Sequence, residues 1–245
     1  MPRSPLLALP ALSGLVLAIA SAQTHPAAER PQFEVASVKL VEPRMGPHAV
    51  GLRVEHGIAT LQGATVRQII VQAYAVQRVL VMGGPSWYDD DQYDILAKSS
   101  TADATPAEIR TMLQNLLADR FQLSVHRRTK EVTVYSLIIG KNGSKLADPS
   151  SDQISNVAVD DRGGVVFQNA TLAGLVNTLA NMLDLPVVDK TGLTGRYTYK
   201  FNPRSDPSGP SLFTAIEEQL GLKLESGKAP VEVLQVDHVE RPSAN

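Results

Sequence analysis

The sequence predicts an α+β fold of two tandem βαββαβ-like units, with mostly antiparallel sheets and two amphipathic helices in each unit. Three observations predict it. Four segments carry the apolar spacing of a helix lying on a sheet. Strand-like alternation flanks each of them. The two halves of the chain also resemble one another in local sequence.

Ahead of the fold, Arg3, an apolar run over residues 6–20 and the small-x-small triplet Ala20-Ser21-Ala22 read as a signal peptide over residues 1–22. The run falls short of the roughly 20 residues that span a bilayer, and Pro10 interrupts it. No membrane span is expected after cleavage. Residues 23–32 read as a flexible leader, 33–141 as the first unit, 142–160 as a polar linker and 161–241 as the second unit.

Residues 33–39 alternate as a first strand, and Pro43, Gly46 and Pro47 mark a loop after it. The first helix carries Val66, Ile69, Ile70 and Ala73 on one face. The second carries Ile109, Met112, Leu113, Leu116 and Leu117; Thr105, Pro106 and Glu108 open it as cap, first-turn proline and capping-box glutamate. The third carries Leu172, Leu175, Val176, Leu179, Met182 and Leu183. The fourth, with Leu212, Phe213, Ile216 and Leu220, is shorter and opens on Ser208-Gly209-Pro210.

Residues 121–125 and 132–139 read as two strands joined by a polar turn over 127–131. Residues 187–188 and 196–201 bracket a turn, and residues 222–225 and 231–239 read as a final hairpin. The repeat is carried by Gln62-Gly63-Ala64-Thr65-Val66 against Gln168-Asn169-Ala170-Thr171-Leu172. Phe121-Gln122-Leu123 likewise matches Leu222-Lys223-Leu224, and residues 132–139 match 229–236.

The chain is 43% hydrophobic with a formal charge of -2, so neither disorder nor a bulk attraction to nucleic acid or an anionic membrane is indicated. It has no cysteine, which excludes disulfides, a thiolate nucleophile and a lipidated N-terminal cysteine. An exported chain of this kind relies on core packing for stability.

Several strings have the look of a whole-chain family. PQFEVASVK, GGPSWYDDDQYDILAK, LLADRFQLSVHRRTKEVTVYSLIIGKNGSKL, LPVVDKTGLTGRYTYKF and PSGPSLFTAIEEQLGLKLESGKAPVEVLQVDHVERP occur in order over residues 31–242. Together they resemble a soil-associated exported family of acidobacterial genomes, a domain of unknown function. Ser144 departs from it, since that family more often has proline there. The resemblance implies export and fold and carries no reaction. Residues 165–239 are also similar in apolar spacing to the short N-terminal domain of secretins and TonB-dependent receptors, which implies docking of envelope proteins.

No string completes a catalytic site. Asp189-Lys190-Thr191-Gly192-Leu193-Thr194 resembles the P-type ATPase phosphorylation motif but lacks one threonine, and a glycine turn explains it. Lys190-Thr191-Gly192 resembles a β-lactamase element, yet no serine stands three residues before a lysine. Residues 221–229 have one residue too many for a phosphate loop and follow a helix. The five histidines show no i, i+4 metal pair, and there is no GxSxG. Asp89, Asp90, Asp91 and Asp94 lack calcium-loop spacing. Arg127, Arg128 and Lys130 read as a solvated basic tip, with contact to an acidic surface as the sharper alternative.

Two readings remain. The first is an exported, periplasmic or secreted, non-catalytic module that binds an envelope protein or extracellular ligand, without cofactor or metal. Its expected interaction surface is Trp87, Tyr88, Asp189, Lys190 and Arg196. The second is a hydrolase of envelope or extracellular polymers, whose carboxylates are brought together by folding.

Overall fold

The computed structural model describes residues 30–43, 51–148, 156–159, 164–202 and 211–242. The expected signal peptide, most of the leader, parts of the 41–50 loop and of the 142–160 linker, and the Ser208-Gly209-Pro210 helix start lie outside them. In chain order the elements are β1 (Phe33–Val41), β2 (Arg53–Glu55), β3 (Ile58–Thr65), α1 (Val66–Tyr74), a 3-10 turn (Arg78–Leu80), β4 (Val81–Gly83), α2 (Trp87–Asp90), β5 (Gln92–Ser99), α3 (Pro106–Phe121) and β6 (Ser124–Ile139). There follow β7 (Asn156–Val159), β8 (Val165–Ala170), α4 (Leu172–Leu183), β9 (Val187–Asp189), β10 (Tyr197–Phe201), α5 (Leu212–Ala215) running on as a π turn (Ile216–Leu220), and β11 (Leu222–His238). The fold is α+β with mostly antiparallel sheets.

Helix starts follow the sequence closely. Thr65 and Thr105 each accept the N–H of the third residue of their helix, Gln68 and Glu108, whose side chains bond back to the threonine N–H. Each box satisfies two of the donors that a helix start leaves open. The apolar stripe of α1 is fully buried: Val66, Ile69, Ile70 and Ala73 are all at 0% exposure. α3 ends where Gln122 turns left-handed (φ 50°), and the π turn ends at Gly221 (φ 66°).

The sheets have the orders β1-β5-β3-β2, β10-β8-β7 and β4-β11-β6-β9. In the first, β3 slips register between Leu61 and Ala64, where Gly63 has φ 59° and its N–H reaches the Asp94 carboxylate at 2.7 Å. In the second, Asn169 has φ 46°, near the register shift between β8 and β10. Each of these left-handed residues stands two before the N-cap threonine of its helix, and of those threonines Thr65 alone makes a side-chain cap bond.

The two expected hairpins are not formed. Residues 124–139 are one continuous strand, as are 222–238, and they pair with each other antiparallel from Leu222↔Ile139 to Val236↔Val125 without a slip. Residues 127–131 contain neither glycine nor proline and had only polarity to suggest a turn. That polarity has another cause: residues 126–131 of this strand, paired with 230–235 of the other, are exposed. Pro230 sits in it without breaking it, as proline does at a strand edge.

The same sheet joins the halves of the chain. β4 pairs parallel with β11 on one side, and β9 pairs parallel with β6 on the other. One core gathers α1, α3, β3 and β5 with Leu123 at the start of the ribbon and with Leu234, Val236 and Val239 from the end of the chain. The second gathers α4, β8, β10 and the π turn with Leu222 and Leu224, and with Leu137 from the far end of β6. Each core therefore holds one end of both long strands. With about 25 cal/mol released per Å² of apolar surface buried, the crossing strands contribute to both.

Candidate functional site

A groove lies between the two cores, and its position follows from how α1 and α4 end. After Tyr74, Ala75 turns left-handed (φ 51°) and leads into Val76 and Gln77. After Leu183, Asp184 turns left-handed (φ 50°) and leads into β9. The two endings are fastened together. The Gln77 side chain donates to the Val187 carbonyl at 2.6 Å and accepts from the Val187 N–H at 3.0 Å. Arg78 pairs with Asp184 at 2.6 Å.

On either side of this fastening is a concavity. One, of about 330 Å³, is lined by Gln68, Gln72, Val71, Arg78, Asn177 and Asn181, among others. The other, of about 470 Å³, is lined by Leu80, Ala173, Val176, Val188, Asp189 and Glu232, among others. They share Val76, Gln77 and Asn177 along their walls. Gln68 and Gln72 stand four apart on α1, and Asn177 and Asn181 four apart on α4, so each pair occupies one helix face. The carboxamides of Gln68 and Gln77 are spent on the Thr65 cap and on Val187. Among the described residues, those of Gln72, Asn177 and Asn181 have no partner in the protein.

The charged lining groups are engaged internally. Asp189 accepts the Thr191 N–H at 2.9 Å and the Thr191 hydroxyl at 2.7 Å, Glu232 pairs with Arg127, and Arg78 pairs with Asp184. Arg78 and Glu232 are thus offset by ion partners, Asp189 keeps its charge with both bonds on one oxygen, and the rest of the lining is amide donors and acceptors over valine and leucine side chains. A separate hollow of about 310 Å³, lined by Arg53, Glu55, His56 and Gln62, is built on the β2–β3 hairpin. The groove instead draws on both halves of the chain. Among the described residues, no group of three or more His, Cys, Asp or Glu side chains is arranged to hold a metal ion.

The five residues expected to form one surface are spread over different surroundings. Tyr88 is a correction: at 1% exposure it belongs to the first core, with its hydroxyl on the Gly83 carbonyl at 2.6 Å and the Arg67 guanidinium 4.6 Å above its ring. Burial raises its pKa above the ordinary phenol value. A ring enclosed in this way cannot touch a partner. Trp87 packs beside it and is covered by Arg241 at 4.7 Å. Arg196 donates to the Asn169 carbonyl at 2.8 Å and so braces the left-handed residue of β8. Lys190 is exposed, and its N–H extends the β6–β9 pairing to Leu137 at 2.9 Å. Of the five, Asp189 alone lines the groove.

The DKTG string is a local turn. Asp189 and Thr191 bond within it, the Thr191 hydroxyl accepts the Leu193 N–H at 3.1 Å, and Gly192 supplies a φ of 73°. The acidic run is structural as well. Asp89 takes a two-point bond from Arg67, Asp91 accepts from Arg241, and Asp94 from Gly63. Sequence reasoning missed Gln72, Gln77, Asn177 and Asn181. The one signal for Gln72, Asn177 and Asn181 was the i, i+4 carboxamide spacing on the polar faces of two helices; Gln77, beyond the end of α1, had none.

Two interlocked cores around a shared ribbon, with a groove between them, define a small α+β protein. The family model described as a protein of unknown function (DUF3738) matches residues 67–239, and the chain belongs to that family. No curated protein and no solved structure matches the chain. No helix among the described residues is long and apolar enough to cross a membrane.

Proposed function

We propose that this is an exported, non-catalytic binding module that takes its ligand in the groove between α1 and α4. One observation carries the reading: three free carboxamides, Gln72, Asn177 and Asn181, stand in a groove floored by valines, while Arg78 and Glu232 are offset by ion partners. Such a lining holds a ligand by hydrogen bonds and apolar contact. Export rests on Arg3, the apolar run and the Ala20-Ser21-Ala22 triplet, and it places the ligand in the envelope or outside the cell. The secretin-like and TonB-receptor-like spacing of residues 165–239 favours an envelope protein.

An internal duplication accounts for the two-sided groove. Gly63 and Asn169 are both left-handed before an N-cap threonine, Ala75 and Asp184 both end their helices left-handed, and so do Gln122 and Gly221. The last pair sets Phe121 against Leu220, two residues from the match read in the sequence.

The test is capture from an envelope extract by the full mature chain, compared with a Q72A/N177A/N181A variant. Loss of the captured species at an unchanged melting temperature supports the groove; equal capture overturns it. Recovery of the protein in the cytosol with Arg3 attached overturns export.

The hydrolase reading has one observation in its favour: Asp189 and Glu232 line the same concavity. If they worked as a pair, D189N and E232Q would each abolish release of products from envelope polymer. Release unaffected by either substitution removes this reading.

A further inference from the structure

Resting on the groove as the binding site, the geometry points to its ligand class: we propose that it takes an extended, uncharged peptide segment with small or aliphatic side chains. A peptide backbone offers a donor and an acceptor at every residue. Carboxamides offer the same pair in return, and the groove presents three of them without partners. They come from facing walls, Gln72 from α1 and Asn177 and Asn181 from α4, so a segment lying between the helices is addressed from both sides.

Charge selects further. Arg78 and Glu232 are held by Asp184 and Arg127, and Asp189 is tied to Thr191 through one oxygen, so a charged ligand side chain would have to displace an existing partner everywhere but at the second oxygen of Asp189. Val71, Val76, Val176 and Leu80 form the apolar part of the lining, which suits small aliphatic side chains. A glycan is the other neutral ligand that carboxamides recognise. Among the described residues no aromatic side chain lines either concavity, so a sugar ring would find no flat apolar face there to lie on.

The groove also ends on open backbone. β6 directs the Tyr135 N–H and the Leu137 carbonyl to β9, which leaves Val187 and Asp189 of β9 facing away from the sheet. Gln77 occupies the Val187 groups. The next outward residue is Asp189, in the wall of the groove, where an added strand would continue the pairing.

The experiment uses the full mature chain labelled with 15N. The probes are an N-acetylated, C-amidated hexapeptide of alternating Val and Thr, the same peptide with Asp or Lys replacing every Thr, and a chitin tetrasaccharide. The neutral peptide is expected to give saturable shifts at the side-chain NH2 groups of Gln72, Asn177 and Asn181 and at the Val76 amide. Q72A and N177A should each weaken it about tenfold, the loss of roughly one hydrogen bond. Unchanged chemical shifts elsewhere in each variant would show that it folds. Saturable shifts at these groups from the tetrasaccharide alone, or equal binding of the charged peptides, would overturn the peptide assignment and leave the groove a binding site. No saturable shift there with any probe overturns the peptide assignment, and groove-dependent capture from envelope extract then decides separately whether the groove binds at all.

Discussion

The carboxamide of Gln77 meets both backbone groups of Val187, donating at 2.6 Å and accepting at 3.0 Å. A single side chain thus takes the place of a neighbouring strand at the outer edge of β9. Val187 is 1% exposed, so neither group has water to fall back on. Replacing Gln77 by leucine leaves a buried N–H and C=O unmet, at a cost of about 1–3 kcal/mol. Urea denaturation should register that loss, and the Val187 amide should exchange faster than its neighbours. Unchanged exchange would show that the pairing does not hold β9.

Gln122 and Gly221 occupy the same left-handed position after their helices, with φ 50° and 66°. Glycine adopts that conformation freely, whereas other residues pay for it. Q122G should therefore leave stability unchanged or raise it by up to about 1 kcal/mol. G221A should lower it by more than about 2 kcal/mol, because the new methyl would also collide with the Gly143 carbonyl. Thermal melts of the two variants should move in opposite directions or differ clearly in size.

The ribbon gives a register test. Tyr135 and Leu137 direct their backbone groups to β9, so odd-numbered residues of β6 face outward and even-numbered ones bond to β11. K130P removes a ladder bond to β11 and should be clearly destabilising. T129P removes only an outward N–H and should cost distinctly less. Were residues 127–131 a turn, the two prolines would not separate in this way.

Glu108 supplies a pH-dependent cap. Its carboxylate accepts the Thr105 N–H at 2.7 Å and the Thr105 hydroxyl at 2.8 Å, and these bonds hold its pKa below the ordinary value of 4.5. The folded state favours the ionised form, so the contribution is complete above the unfolded carboxyl's pKa. It is lost as pH falls through the lower, folded value. The melting temperature of the wild type should therefore drop more steeply than that of E108Q as the pH is lowered from 5 to 3, where ~2 units bracket the ordinary carboxyl range. Parallel curves would remove the effect.

Helices were legible in the sequence because their signals are local. Thr65 lies within a turn or so of Val66 and Ile69, and Thr105 stands equally close to Ile109 and Met112; the structure forms the helices they indicate. The ribbon was not legible, because polarity at Arg127, Arg128 and Lys130 arises equally from a turn and from a strand exposed on both faces. What distinguishes them is a partner such as Leu234 opposite Arg127, far along the chain. The groove was hidden for the same reason. Asn177 and Gln72 carry no motif that names them, and long-range contacts such as Gln77 on Val187 and Arg78 on Asp184 bring their helices to one place. Tyr88 misled because an aromatic pair beside glycines suggests a contact surface, whereas its hydroxyl is satisfied inside by Gly83.

The crossing of β6 and β11 has a consequence for how the chain is made. His126 and Asp237 pair at 2.7 Å across 111 residues, so β6 leaves the ribosome long before its neighbour exists. Until then the first core lacks Leu234, Val236 and Val239, and the new strand offers an unpaired edge to any passing chain. Nascent molecules must be kept apart through that interval, and a truncation anywhere before Val239 should aggregate instead of yielding half a protein.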